Sequence, residues 1–357
     1  MNSMQKIRLA LLGCGDVAQR DYLPEFHRLA ARAEIVAVCG RGETRARQTA
    51  ERYSIPKVYT DYTRMLADAD VDAVINLLPM QLHYESTLTC LQAGKHVYTE
   101  KTVAGQLDQA QRLQQVADAR GLTLVCAPCC MVWPQIMLAR QLLQQDAIGA
   151  IHSARGLGHG GVPPWSGFTS DPAPFFAEGG GPQRDMGVYP LHALTGLLGA
   201  VRSVLAIAIK AQDDFVITDG PFNGQRVPIV EHDTWLILLE HEAGPISTVE
   251  ANNSVQATHA AQLELFGLRG TLALNLIDGT APVQLSEGGR WRDLPVPHAR
   301  ESGPDHILGV AHLVDCLGGQ LSTPVLNIAH AAHVVEILDA AAQSVREGRK
   351  IALVTRF

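Results

Sequence analysis

The chain has 357 residues, 46% hydrophobic and 18% charged, which excludes a disordered composition and gives more core material than one ordinary domain uses. Its net charge is −7 and no basic run interrupts it, so electrostatics gives no reason to expect nucleic acid or an anionic membrane as partner. Met1 to Lys6 lead straight into a strand pattern without a secretory signal, and no apolar run reaches the roughly eighteen residues of a spanning helix, so the expectation is a cytoplasmic protein.

In chain order, short apolar runs at 7–12, 35–39, 71–78, 95–98 and 122–126 predict strands. Helical stretches at 44–52, 82–93 and 106–120 lie between them, and Gly94 and Gly121 stop the last two. Strands alternating with helices of this length predict βαβ units in a parallel sheet covered on both faces. After Pro134 the texture changes. Residues 151–185 are rich in Gly and Pro and read as loop. Longer strands of alternating polarity follow at 201–209, 234–239, 246–252, 262–266 and 270–274, with helices at 307–316 and 329–346. The expected fold is α/β: a Rossmann domain over 1–127, then an α+β domain over 128–357 with a large, mostly antiparallel open sheet. Such a sheet leaves one face to cover, and homo-oligomerisation is one way to cover it. Cys126, Cys129 and Cys130 cluster as CAPCC, but no second ligand group stands at matching spacing, so free thiols and no metal are expected.

Gly13-Cys14-Gly15-Asp16-Val17-Ala18 is a GxGxxA sequence with a strand before it and a helix-compatible segment after it. The first Gly permits the tight turn, the second lets backbone approach a pyrophosphate, and the small third position lets helix and strand pack closely. Amides free at the helix start favour the anion. At the end of the second strand an NAD site usually carries an acid for the ribose 2′-OH. Here Gly40-Arg41-Gly42 stands instead, and Arg suits a 2′-phosphate, so NADP(H) is favoured over NAD(H). The competing reading makes Arg41 a solvated loop residue and Glu43 the acid.

Three further stretches coincide: Val74-Ile75-Asn76-Leu77-Leu78-Pro79 followed by His83; Ala93-Gly94-Lys95-His96-Val97-Tyr98-Thr99-Glu100-Lys101; and Gly179-Gly180-Gly181-Pro182-Gln183-Arg184-Asp185-Met186-Gly187-Val188-Tyr189-Pro190-Leu191-His192. Together they resemble the glucose–fructose oxidoreductase, inositol dehydrogenase and MocA family (Gfo/Idh/MocA) over nearly the whole chain. The resemblance implies reversible oxidation of a sugar, polyol or related cyclic alcohol, and dimers or tetramers formed through the second domain's sheet. It places the family's EKP lysine on Lys101, with Thr102 where the proline stands, its Asp on Asp185 and its His-or-Tyr on Tyr189. It adds His192 with a less defined role, and puts Leu78, Pro79, His83, Glu100 and Lys101 beside the cofactor.

The chemistry of the residues agrees. Oxidising a carbinol requires its O–H proton to leave with the C–H hydrogen. A tyrosine is a poor base at neutral pH unless a cation such as Lys101 lies near, and that cation also stabilises a developing alkoxide. On a helix, Asp185, Tyr189 and His192 fall at i, i+4 and i+7, on one face. By themselves these three better suit a helix start with core-packed rings; it is Lys101 and the Rossmann domain beside them that favour a site. The glycine run at 179–181 lets the chain enter that helix close to another backbone or a ligand. Trp165, His159 and Phe168 are candidates to stack on a sugar, or simple loop packing. Two other readings stay open: glycoside cleavage by transient oxidation with a retained cofactor, and a non-catalytic nicotinamide-sensing regulator. Lys101, retained here, speaks against the regulator.

Overall fold

The computed structural model describes residues 6–68, 70–160, 168–297 and 303–357. The chain divides into two units. One is Met1–Cys129 with His306–Ala331, the other Cys130–Asp305 with Ala332–Phe357.

In the first unit the strands are β1 (Ile7–Leu12), β2 (Ala33–Cys39), β3 (Lys57–Tyr59), β4 (Ala73–Asn76), β5 (His96–Thr99) and β6 (Leu124–Cys126). They form a parallel sheet in the order β3-β2-β1-β4-β5-β6. Every residue of β4 is buried, as a strand covered on both faces requires. Helices α1 (Glu43–Tyr53), α2 (Tyr62–Asp68), α3 (His83–Gln92) and α4 (Leu107–Arg120) make the crossovers. Leu9, Leu11, Ile75, Leu91 and Leu113 are at most 2% exposed, and each such side chain contributes about 1.5–3 kcal/mol on burial. The segment after the glycine loop is not a regular α-helix. It runs as a π-type turn, Ala18–Tyr22, then as a 3-10 segment, Leu23–Leu29. Pro24 has no N–H to give, so an i→i−4 ladder cannot run through it. The sheet's order reverses between β1 and β4, which opens a crevice at the strands' C-terminal ends.

The second unit begins with α5 (Pro134–Gln144). Its strands are β7 (Ile151–Gly158), β8 (Val201–Ile209), β9 (Asp214–Val216), β10 (Arg226–Pro228), β11 (Thr234–His241), β12 (Ile246–Asn252), β13 (Leu263–Gly267), β14 (Gly270–Leu274), β15 (Val283–Glu287), β16 (Arg290–Leu294) and β17 (Ile351–Ala352). Nine of these, among the described residues, form one sheet in the order β16-β15-β14-β13-β7-β12-β11-β8-β17, while β9 and β10 pair separately. Only β7 and β12 run parallel; the other neighbours are antiparallel.

The loop reading of 151–185 fails at its start, because β7 is a central strand. Its glycines mark close packing. A β-carbon on Gly156 would lie 2.6 Å from Pro190 Cβ, and one on Gly158 2.6 Å from Gly187 Cα. Helix α7 (Val188–Leu198) and the turn before it therefore lie directly on the strand, while the short segment Pro182–Asp185 (α6) packs on β11 and β12. The helices α8 (Ile307–Leu317) and α9 (Ile328–Glu347) precede β17. Helix α8 packs on β5 and β6 of the first unit, and Cys126 N–H donates to Leu326 O at 3.0 Å. Among the described residues no helix is long and apolar enough to cross a membrane.

Candidate active site

The glycine loop leaves β1 at Gly13. This residue has φ +97°, and a β-carbon there would fall 2.6 Å from Leu77 O. Gly13 N–H is bonded to Cys39 O at 2.9 Å, so the turn is tied to the end of β2. Ala18 is fully buried, as the small third position of the motif requires, while Gly15, Asp16 and Val17 are partly exposed. The helical ladder begins with Gln19 N–H to Gly15 O at 3.1 Å, so the amides before it belong to a helix start. This arrangement fits a pyrophosphate: backbone can approach, and the helix end presents N–H groups.

The end of β2 carries Gly40 where an acid would stand. A β-carbon on Gly40 would sit 2.5 Å from Cys14 Sγ. Arg41 is exposed beside it. Glu43 is bound by Arg47 at 2.6 Å, an exposed i,i+4 pair on α1. The Arg45 charge reaches Cys14, whose thiol is nevertheless pushed up by burial. Arg45 is a cation at this loop that the sequence reading missed, since an Arg on an exposed helix carries no signal of its own.

At the end of β4, Leu78 is partly buried and Pro79 exposed. His83 is 1% exposed, with Nδ1 2.8 Å from Thr102 O and Nε2 2.7 Å from Leu78 O. Burial holds this imidazole below its ordinary range. A neutral ring has one N–H, so it donates to one of these two carbonyls, Thr102 O or Leu78 O, from its place between the β4 and β5 loops. Glu100 and Lys101 follow β5. Glu100 is 7% exposed; one carboxylate oxygen accepts Lys101 N–H at 2.9 Å and the other is hydrogen-bonded by Tyr22. Lys101 is partly exposed, and the Lys101–Thr102 peptide is cis.

In the second unit Asp185, Tyr189 and His192 are 5–6% exposed. They do not share one regular helix. Asp185 ends α6, Met186 and Gly187 form a turn, and Tyr189 and His192 stand on α7. Gly187 is enforced by contact, since a β-carbon would meet Ala251 Cβ at 2.9 Å. Tyr189 stacks on Trp133, ring centroids 5.9 Å apart and planes 18° from parallel. Arg184 Nη2 reaches Asp339 at 3.2 Å and so ties α6 to α9. Phe168 is buried edge-on against Phe175, which makes it loop packing, and His159 Nε2 lies 3.3 Å from Glu250 Oε1 on β12. Trp165 lies outside the described residues.

All seven cysteines are free thiols. Burial pushes Cys39, Cys90 and Cys130 up to about 12.

Residues 7–127 match a family described as oxidoreductase, NAD-binding Rossmann fold, and residues 136–273 match the GFO/IDH/MocA C-terminal domain. The chain belongs to the Gfo/Idh/MocA oxidoreductase family. Among relatives of the family, a dTDP-3,4-didehydro-2,6-dideoxy-alpha-D-glucose 3-reductase of Actinomadura kijaniata is 34% identical over 58% of this chain and 61% of its own. A D-glucoside 3-dehydrogenase of Escherichia coli is 33% identical over 56% of this chain and 57% of its own. The chain thus aligns with less than two thirds of either relative. An aldose-aldose oxidoreductase of Caulobacter crescentus, solved with glycerol, superposes with a TM-score of 0.81 at 21% identity, covering 98% of this chain and 100% of the other, so the two share a fold.

Proposed function

We propose that this protein is an NADP(H)-preferring oxidoreductase acting on a secondary alcohol or ketone of a sugar, cyclic polyol or related compound. The observation that carries this reading is the anchored Glu100–Lys101 pair directly after β5 of a Rossmann unit, in a chain that also keeps Asp185, Tyr189 and His192. The glycine loop, Gly40, Arg41, Leu78, Pro79, His83 and Glu100 would hold the dinucleotide. A bound nicotinamide supplies the hydride acceptor or donor. Lys101 Nζ donates to the reacting oxygen and stabilises charge developing there. Tyr189 Oη takes or returns the hydroxyl proton, His192 relays it, and Asp185 orients the substrate by accepting from a neighbouring hydroxyl. The relatives' names, a deoxysugar reductase and a glucoside dehydrogenase, support a sugar-like substrate.

The NADP(H) preference rests on Gly40 standing where an acid would meet the ribose, on Glu43 pairing with Arg47, and on Arg41 and Arg45 supplying positive charge. Titration with NADPH and NADH, followed by nicotinamide fluorescence, tests it. Arg41→Ala is expected to weaken NADPH binding by about tenfold or more and to leave NADH nearly unchanged. Equal losses for both would remove Arg41 from the 2′-phosphate. A polyol and glycoside screen then tests the substrate class. Release of a nucleotide only on denaturation, without net redox turnover, would favour the glycoside-cleaving reading.

The second unit's sheet supports a homodimer or homotetramer. Leu205, Ile207 and Ile209 of β8, Leu236 and Leu238 of β11 and Ile246 of β12 are each 38–64% exposed. Leu205 pairs with Leu238 and Ile207 with Leu236, so the apolar face is continuous. Ile207→Glu is expected to shift the protein toward monomer in sedimentation at micromolar concentration. An unchanged oligomer would move the interface elsewhere.

A further inference from the structure

Behind Lys101 the first unit buries a string of hydroxyls that the mechanism above does not use. Tyr22 Oη is 2.7 Å from Tyr98 Oη and is hydrogen-bonded to Glu100 Oε1, while Glu100 Oε2 accepts Lys101 N–H at 2.9 Å. Tyr22 is 3% exposed and Tyr98 0%. The proton inventory fixes the direction of the string. A phenol has one hydrogen to give, and a carboxylate is the stronger acceptor, so Tyr22 O–H goes to Glu100. Tyr98 must then donate to the Tyr22 oxygen. Burial and the Glu100 charge push the Tyr22 phenol well above its ordinary range, so it keeps that hydrogen.

The string is braced by the fold. The His306 ring stacks on Tyr22 at 5.9 Å and 26°. A β-carbon on Gly309 of α8 would lie 2.5 Å from Tyr98 Cε2 and 2.6 Å from its hydroxyl, so the helix gives up a side chain to seat the phenol. Phenylalanines would fill the same volume. The hydroxyls are costly to bury and are kept where they meet one carboxylate. That carboxylate has a donor on each oxygen, so it can neither turn nor release the Lys101 amide.

We propose that Tyr22, backed by Tyr98, is a positioning residue for Lys101 that acts through Glu100 and links the segment following the glycine loop to the backbone of the reacting lysine. The inference rests on the reading of Lys101 as the group that meets the substrate oxygen. Without the Tyr22 hydroxyl, Glu100 Oε1 is left buried without that donor. The carboxylate then turns to recover a partner and loosens Lys101 N–H.

The test compares Tyr22→Phe, Tyr98→Phe and the double variant with wild type, using the full chain. Amide exchange over 99–104 in Tyr22→Phe is expected to rise about tenfold, the worth of one charge-assisted hydrogen bond, with exchange in β1 unchanged. The kcat is expected to fall about tenfold, with KM and nucleotide affinity held within about twofold. Tyr98→Phe should show the same pattern more weakly, and the double variant should be no worse than Tyr22→Phe, because Tyr98 acts through Tyr22. Unchanged exchange at 99–104, or exchange rising throughout the unit together with a fall in Tm, would overturn the proposal. A wild type that turns over no sugar or polyol would count against the proposed function instead, and the exchange measurement would then decide the positioning role alone.

Discussion

Lys101→Ala is expected to lower turnover by about 10²–10³-fold, the usual loss when one donor to a developing oxyanion is removed. Nucleotide binding should survive. The loop from Gly13 to Ala18 makes its close approach through backbone, and the Glu100 contact uses the Lys101 amide, which alanine retains. The loss should appear in kcat and kcat/KM together, since the ammonium acts on charge that exists mainly in the transition state. Normal turnover in the variant would sink the mechanism. A rise in KM alone would make Lys101 a substrate anchor and no more. Tyr189→Phe complements it: full activity across pH in that variant would move the proton role to His192.

Much of the first unit was legible in the sequence because its strands are continuous apolar runs. β1 was read to the residue, and β2, β4, β5 and β6 within a few positions. β3 and α2 were missed: three edge residues and seven largely exposed ones carry too little periodicity. β7 was hidden by Gly156 and Gly158, which in a sequence read as turns and in the fold make room for Pro190 and Gly187. The DxxxYxxH spacing suggested one helical face, but it could not reveal that Gly187 is pressed against Ala251 and splits the segment. Motif residues such as Lys101 and Asp185 announced themselves. Tyr22 and Arg45 did not, because their significance lies in neighbours brought together by the sheet.

Stability is expected to decline as pH falls from about 6.5 to 4, and His333 gives the clearest reason. It is fully buried. Val201 N–H donates to its Nε2 at 2.9 Å, so that nitrogen must be bare. Nδ1 therefore carries the hydrogen and gives it to Thr355 Oγ1 at 2.8 Å, which in turn is hydrogen-bonded to Glu336. Burial lowers this imidazole to about 4, against the attraction of Glu336 and with the repulsion of Arg356 and His241. A folded value depressed below the unfolded one leaves the protein fully stabilised above about 6.5. That stability is lost as the unfolded chain takes up its proton first, and the loss is complete near pH 4. The shift corresponds to about 3 kcal/mol. His83, His241, His306 and His312 are held low by burial too, so the whole fold leans the same way. His333→Gln keeps a polar side chain without the titration. Urea melts of both proteins from neutral pH to pH 4.5 should show proton uptake on unfolding near pH 5 reduced by about one in the variant. An identical slope in the two would mean that His333 is not what acid attacks.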